Sequence, residues 1–453
     1  MVKLNMKVGE TYYRGDLILK KKKAFSQVVS LALVSGLILG ACSSSSSTED
    51  TSESNSDKTV VKMMHLWPEG SSNAQYSIVD DIIKSYEEEN ANVDIQTEIL
   101  GNEQYKEKIK VLSASNELPD VGITWAAGYM QPFVDGNKFS SLDDIVKDDQ
   151  FVAGTLDAFS VDDSAYALPL ELNITPVYYN KEIFEKYNLE APKTYDEFLS
   201  IVETLADNGV TPITLGNKDR WTGSMWYMYL ADRIGGPESL NNAINRTGSF
   251  EDPALVQAAE EIAKLVDMDA FVKGFNGLSN DEAKGYFMNE QAAMYLMATW
   301  ELPNYTTSPD VAQEFKDKVG YFKFPTYEGG KGDIDSYVGG PGVGLFVSEE
   351  SKVKDEAKKF VSYLVEEWGK RSVTDAGVIP ATVVDTSNGD LDQMYIDILN
   401  DLGNATNLTL YADVQMSAGV ADVHLNQIQA LFGGQSTPEE FTKTQEEALA
   451  AEK

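Results

Sequence analysis

The chain reads as an α/β protein built from two αβ units. Three observations carry this. Strand and helix patterns alternate from Thr59 onward, and the alternation resumes beyond Pro192. The region after Thr59 is also long enough to bury two cores without disulfides, since Cys42 is the only cysteine. Thr59 to Leu66 (TVVKMMHL) has the composition of a buried strand. Ile78, Val79, Ile82, Ile83 and Tyr86 then recur at helical spacing. Val93, Ile95, Thr97 and Ile99 alternate as a strand does, Tyr105, Ile109 and Leu112 mark a second helix, and Val121 to Thr124 a third strand. The order βαβαβ implies a parallel sheet with right-handed crossovers. Such sheets bind ligands beyond the carboxyl ends of their strands.

The second unit shows sharper local signals. Thr194 and Glu197 form a capping box ahead of Phe198, Ile201, Val202 and Leu205, and Gly209 ends that helix. Val210 to Gly216 and Ala292 to Thr299 read as strands, and Trp226 falls in the helix after the first of them. Phe360, Leu364 and Trp368 lie at i, i+4 and i+8, so Trp368 is expected in a core. Thr437-Pro438-Glu439-Glu440 opens a last helix with a second capping box and a proline at its first position.

The N-terminus has a different character. Lys20 to Lys23 precede an apolar run, Val28 to Leu39, and Leu39-Gly40-Ala41 lead into Cys42. That is the layout of a secretory signal over residues 1–41, since the run is shorter than the ~20 residues needed to span a bilayer. The residues before Lys20 make the charged region unusually long, and an alternative start at Leu19 would account for them. Residues 42–58 follow as a Ser-rich linker. Ser43 to Asp57 contain no apolar residue and cannot pack, and they reach roughly 20 Å as a coil.

Charge narrows the partners. The chain has 37 basic and 72 acidic residues, and without residues 1–41 it has 30 against 70, or about −40. Such a chain repels nucleic acid and anionic lipid. No cofactor or metal is expected: Asp333-Ile334-Asp335 lacks the glycine and glutamate of a calcium loop. Gly339 to Gly344 lacks the Gly-Lys-Ser/Thr ending of a phosphate loop and reads as a tight turn near a ligand. His65 and His424 fall in a strand and a helix, far apart in sequence, where structural roles are expected.

Four tryptophans, Trp67, Trp125, Trp221 and Trp300, come directly after expected strands, with Glu69, Tyr129, Asp219, Arg220 and Glu301 beside them. A sugar ring needs this pairing, because its C–H faces lie on an aromatic plane while its hydroxyls bond planar polar groups around the edge. Several platforms suggest several rings. With carboxylates at Glu69, Asp219, Glu301 and Asp413 against the single cation Arg220, a neutral sugar suits the inventory. Two other readings stay open: a cationic ligand such as a polyamine or basic peptide in an acidic aromatic cage, and a surface glycoside hydrolase using Glu69 and Glu301. No catalytic residue is assigned.

Tyr166 to Leu170 and Val177 to Phe184 (VYYNKEIF) resemble a hinge crossing of family 1 extracellular solute-binding proteins, the maltose-binding-protein-like receptors of ABC sugar importers. Gln291 to Met294 before Trp300, Val319 to Pro325 (VGYFKFP), and Tyr337 to Gly344 are similar to further segments of that family in the same order. Leu39 to Cys42 resembles a lipobox, in which the sulfur takes a diacylglyceryl group. The resemblance implies a two-lobe periplasmic-binding-protein-like fold (type II) with its ligand cleft between the lobes. The first lobe would be 59–172 with 327–378, and the second 173–326 with 379–453. It implies site positions at Trp67, Glu69, Trp125, Asn173, Asp219, Arg220, Trp221, Trp300, Glu301, Gly340, Tyr411 and Asp413. It further implies a lipid-anchored monomer on the outer face of the cell membrane that passes an oligosaccharide to importer permease subunits without cleaving it.

Replacing the anchor should separate tether from fold. Cys42→Ser is expected to move the protein from washed membranes to the soluble fraction with ligand affinity unchanged. Retention of the variant in the membrane pellet would contradict a lipid on Cys42.

Overall fold

A computed structural model describes residues 58–147, 149–384 and 391–452. Cys42 and the linker lie outside these. Among the described residues no helix is long and apolar enough to cross a membrane.

Strands β1 (Thr59–His65), β2 (Val93–Ile99) and β3 (Val121–Trp125) pair in parallel, joined by helices α1 (Asn73–Glu89) and α2 (Asn102–Ser115), as the alternating pattern requires. Helix α3 (Ala127–Asp135) leaves the end of β3. A small hairpin, β4 (Ser160–Val161) and β5 (Ser164–Ala165), precedes β6 (Leu168–Pro169). The chain then runs through β7 (Leu172–Ile174) into a second sheet made of β8 (Val177–Asn180), β9 (Thr211–Thr214), β10 (Ala292–Leu296) and β11 (Val319–Phe322). Helices α4 (Lys181–Lys186), α5 (Tyr195–Asp207) and α6 (Trp221–Gly235) belong to this second unit. From there β12 (Ser336–Pro341) leads back to β13 (Val343–Val347) in the first sheet, and β14 (Asn407–Thr409) comes last. The sheet orders are β2-β1-β3-β13-β6, β11-β8-β10-β9 and β14-β12-β7.

The first sheet is therefore mixed rather than all parallel, because β13 runs antiparallel to both β3 and β6. The Gly339–Gly344 segment is likewise a strand passage and not a tight turn: Gly339, Gly340 and Pro341 pair with Ile174, Asn173 and Leu172. Glycine is required there by close approach, since a Cβ on Gly339 would sit 2.2 Å from the Asn173 carbonyl oxygen.

Two of the passages between the units, β7 and β12, thus share one small sheet. Its position corrects the expected boundaries. After Pro325 the chain stays with the second unit, where the Tyr327 hydroxyl donates to Glu261 (2.9 Å), so the return falls at β12 rather than at residue 327. Residues 379–383 remain with the first unit, because the amides of Ala381 and Val383 donate to the carbonyls of Leu170 and Gln150 (both 2.9 Å).

Both expected capping boxes are present, at Thr194 with Glu197 and at Thr437 with Glu440. A third, at Ser279 with Glu282, starts the helix Asn280–Met288. Phe360, Leu364 and Trp368 are completely buried on the helix Lys354–Arg371. Trp368→Ala is accordingly expected to lower stability by about 3–5 kcal/mol, read from the shift of the urea unfolding midpoint. A loss below about 1 kcal/mol, the size of an exposed-site change, would contradict its core placement.

Candidate functional site

One cavity of about 170 Å³ opens between the two large sheets. At about 10–15 Å³ per water this holds on the order of ten waters. The first unit supplies Trp67 and Pro68 after β1, the turn Ser71 to Gln75 at the start of α1, Asn102 and Lys106 of α2, and Trp125 at the end of β3. The second supplies Trp221, Ser224, Met225 and Met228 of α6, Asp281 and Lys284, Trp300 to Asn304, and Tyr411 to Val414. Glu171, Gly342 and Val343 lie where the chain passes between them. All four tryptophans singled out after strands therefore meet in one place.

Their arrangement is angular. Trp221 and Trp300 meet edge to face, with ring centroids 5.8 Å apart at 67°. Tyr411 tilts against Trp300 at 5.9 Å and 55°. Opposite, Trp67 stacks on the core ring of Trp368 at 5.2 Å and 23°. The Lys106 ammonium sits 5.0 Å from the centroid of the Trp125 ring, close enough for a cation–π contact.

Polar groups fall into two kinds. Some are already committed within the protein. Glu301 is buried with both oxygens engaged: Lys284 donates to one (3.3 Å) and Asn304 to the other (2.7 Å). Burial works to lower the Lys284 pKa, but Glu301 and Asp281 together hold it above the ordinary value. Ser224 lies 2.7 Å from His424 Nε2, and His424 Nδ1 meets Gln445 Oε1. Others are uncommitted. The Trp221 indole N–H and Glu171 Oε1 are buried without hydrogen-bond partners among the described residues.

Several expected positions need correction. Glu69 is exposed and does not line the cavity, so it cannot face Glu301 as the second carboxylate of a hydrolase. Arg220 points away, donating to Asn426 Oδ1 (2.8 Å) from a backbone with φ +66°, and the cavity's cations are Lys106 and Lys284. Asp219 accepts the Asn280 amide (2.7 Å) and also lies outside the lining. Burial is the main cause raising its pKa. Asn173 is buried behind the wall, accepting from Thr299 Oγ1 (3.0 Å), and Gly340 packs on Leu410 in the hinge sheet. Trp67, Trp125, Trp221, Trp300, Glu301, Tyr411 and Asp413 do line the cavity.

Both histidines are buried. His65 ends β1 with its ring under the Trp67 amide, and burial brings its pKa down to about 4. His424 is fully buried. No cluster of three or more potential metal ligands occurs among the described residues.

Two sheet-based units with an aromatic cavity between them have the architecture of a receptor that encloses a small ligand. The chain belongs to the bacterial extracellular solute-binding proteins, whose family profile matches residues 69–369. Membership places it among binding proteins, not enzymes. It is similar to the multiple sugar-binding protein of Streptococcus mutans, with 25% identity over 77% of this chain and 80% of that protein. A solved structure from work on xylan utilization by Caldanaerobius polysaccharolyticus shares 34% identity, covering 86% of this chain and 99% of the other, with a TM-score of 0.81. A chitin oligosaccharide binding protein shares 25%, covering 87% and 100%, with a TM-score of 0.79.

Proposed function

We propose that this protein is a lipid-tethered extracellular receptor that captures a neutral oligosaccharide and hands it to an ABC importer, acting as a monomer. The observation that carries the reading is the convergence of Trp67, Trp125, Trp221 and Trp300 on one cavity. Their faces offer apolar platforms, and Lys106, Glu171 and Asp413 stand in the same walls to bond hydroxyls. The similarity to a sugar-binding protein, a chitin oligosaccharide binder and a protein studied in xylan utilization supports a carbohydrate ligand. Xylan-derived oligosaccharides come first for testing because that last protein shares the highest identity of the three. A polyamine fits less well, since two lysines share the lining. The tether is the lipid on Cys42, with the Ser-rich stretch holding the receptor clear of the membrane.

Closure around the ligand is supported by polar contacts between the units. Lys284 donates to the Ser71 carbonyl (3.0 Å), Gln75 to the Trp300 carbonyl (3.1 Å), and Asn73 to Asp310 (2.6 Å). Each is a polar contact that forms and breaks at little net cost, which suits a cleft that opens and shuts.

Calorimetry on lipid-free protein with xylotriose, xylotetraose, chitotetraose and spermidine tests the reading. At least one of the sugars is expected to bind and to be recovered uncleaved. Trp221→Ala and Trp300→Ala are each expected to weaken that binding by about 1–3 kcal/mol, taking base–aromatic stacking as the analogue. Binding of spermidine alone, weakening as salt rises, would overturn the neutral-sugar reading.

A further inference from the structure

The Glu171 side chain is buried with almost no hydrogen bonding inside the protein. It lies between β6 and β7, in the cavity lining where the chain first crosses between units, and the residue is 3% exposed. Its backbone is fixed, since the Gly342 amide donates to the Glu171 carbonyl (2.9 Å). Its carboxylate is not. Oε1 has no partner among the described residues, and Oε2 receives only Asn173 Nδ2 at 3.5 Å, the edge of hydrogen-bond range. Asn173 is itself held through its Oδ1, which accepts from Thr299 Oγ1 (3.0 Å). Gly342 leaves the space open: a Cβ there would come within 2.6 Å of Asn173 Nδ2 and 3.4 Å of Glu171 Oε2.

A lone carboxylate this deeply buried is costly unless something donates to it. The same cavity buries the opposite deficit in the Trp221 N–H, a donor lacking an acceptor. A hydroxyl both donates and accepts, so a sugar ring can answer both. An ammonium group only donates and would leave Trp221 unanswered.

Resting on the sugar-receptor reading, we propose that Glu171 is a ligand-binding residue of this cavity: its carboxylate accepts hydroxyl hydrogens from the sugar ring seated on the hinge floor. Burial pushes the Glu171 carboxyl up to about 7, opposed only by Asn173. The titratable group that feels its charge is Tyr411, whose phenol burial holds well above the ordinary range. Ring hydroxyls donating to the carboxylate favour its ionised form, so the bound pKa falls below that of the free protein. Affinity is therefore full above pH 7 and declines as pH drops through 7, by up to tenfold per unit until the bound pKa is reached.

The test is calorimetry with xylotetraose and chitotetraose at pH 8.0 and 5.5, on the wild type, Glu171→Gln and Glu171→Asp. The wild type is expected to bind about tenfold or more weakly at pH 5.5. Glu171→Gln keeps the shape but loses the charge, so it should bind roughly ten- to a hundredfold more weakly at pH 8.0, with a flat pH profile. Glu171→Asp keeps the charge at a shorter reach, and should bind weakly while retaining the profile. It also serves if the glutamine variant does not fold. A wild type that binds either sugar with no pH dependence, or a folded Glu171→Gln of undiminished affinity, overturns the role of Glu171 and leaves the sugar reading intact. A wild type that binds spermidine but none of the sugars overturns both.

Discussion

The return crossing at β12 is anchored to the second unit by Arg233. This residue is 1% exposed, near the end of α6, and its guanidinium donates to the carbonyls of Phe324 (3.0 Å), Pro325 (3.2 Å) and Ser336 (2.8 Å). Asp232 neutralises it and in turn accepts from Ser336 Oγ (2.5 Å). The faces of Tyr229 and Phe324 flank the charge at 5.2 and 5.9 Å. A buried ion pair gives little net stability, because desolvating two charges offsets their attraction. Its value lies in direction: a planar fork of donors fixes several carbonyls at once.

That direction reaches the cavity. The helix carrying Arg233 begins at Trp221, and the strand it clamps at Ser336 runs through to Gly342 and Val343 in the cavity floor. One helix therefore positions a ligand-facing ring at its start and the crossing at its end. The lone carboxylate of Glu171 lies beside that crossing, so filling the cavity and setting the angle between the units act on the same few residues. The polar contacts from Ser71, Asn73 and Gln75 tie the start of α1 to Lys284, Asp310 and Trp300 of the second unit.

Much of the fold was legible because its signals are local. The alternation of Thr59 to Thr124, the capping boxes at Thr194 and Thr437, and the spacing of Phe360, Leu364 and Trp368 each depend on residues a few places apart. The antiparallel entry of β13 was not legible, since it depends on pairing with a strand more than two hundred positions earlier. The tryptophans were found because a ring directly after a strand must lie at the sheet's ligand-binding edge. Their sequence neighbours misled, because adjacency does not set direction. Arg220 adopts a left-handed backbone that turns its side chain toward Asn426, and Glu69 sits on an exposed turn. Lys106 resembles any solvated helix lysine with an i,i+3 partner in Glu103. Glu171 sits in the apolar run Leu168 to Ile174, where nothing local distinguishes a cavity carboxylate from a strand-edge one.

The central claim is that a sugar is enclosed between the units with its rings on the tryptophans. A crystal structure of the lipid-free protein grown with the tightest-binding of the tested oligosaccharides addresses it most directly. The account predicts a pyranose ring against Trp221 or Trp300, with a hydroxyl within 3.2 Å of a Glu171 oxygen, and contacts from both units. A sugar held by one unit alone, or seated outside the cavity these tryptophans line, would contradict it.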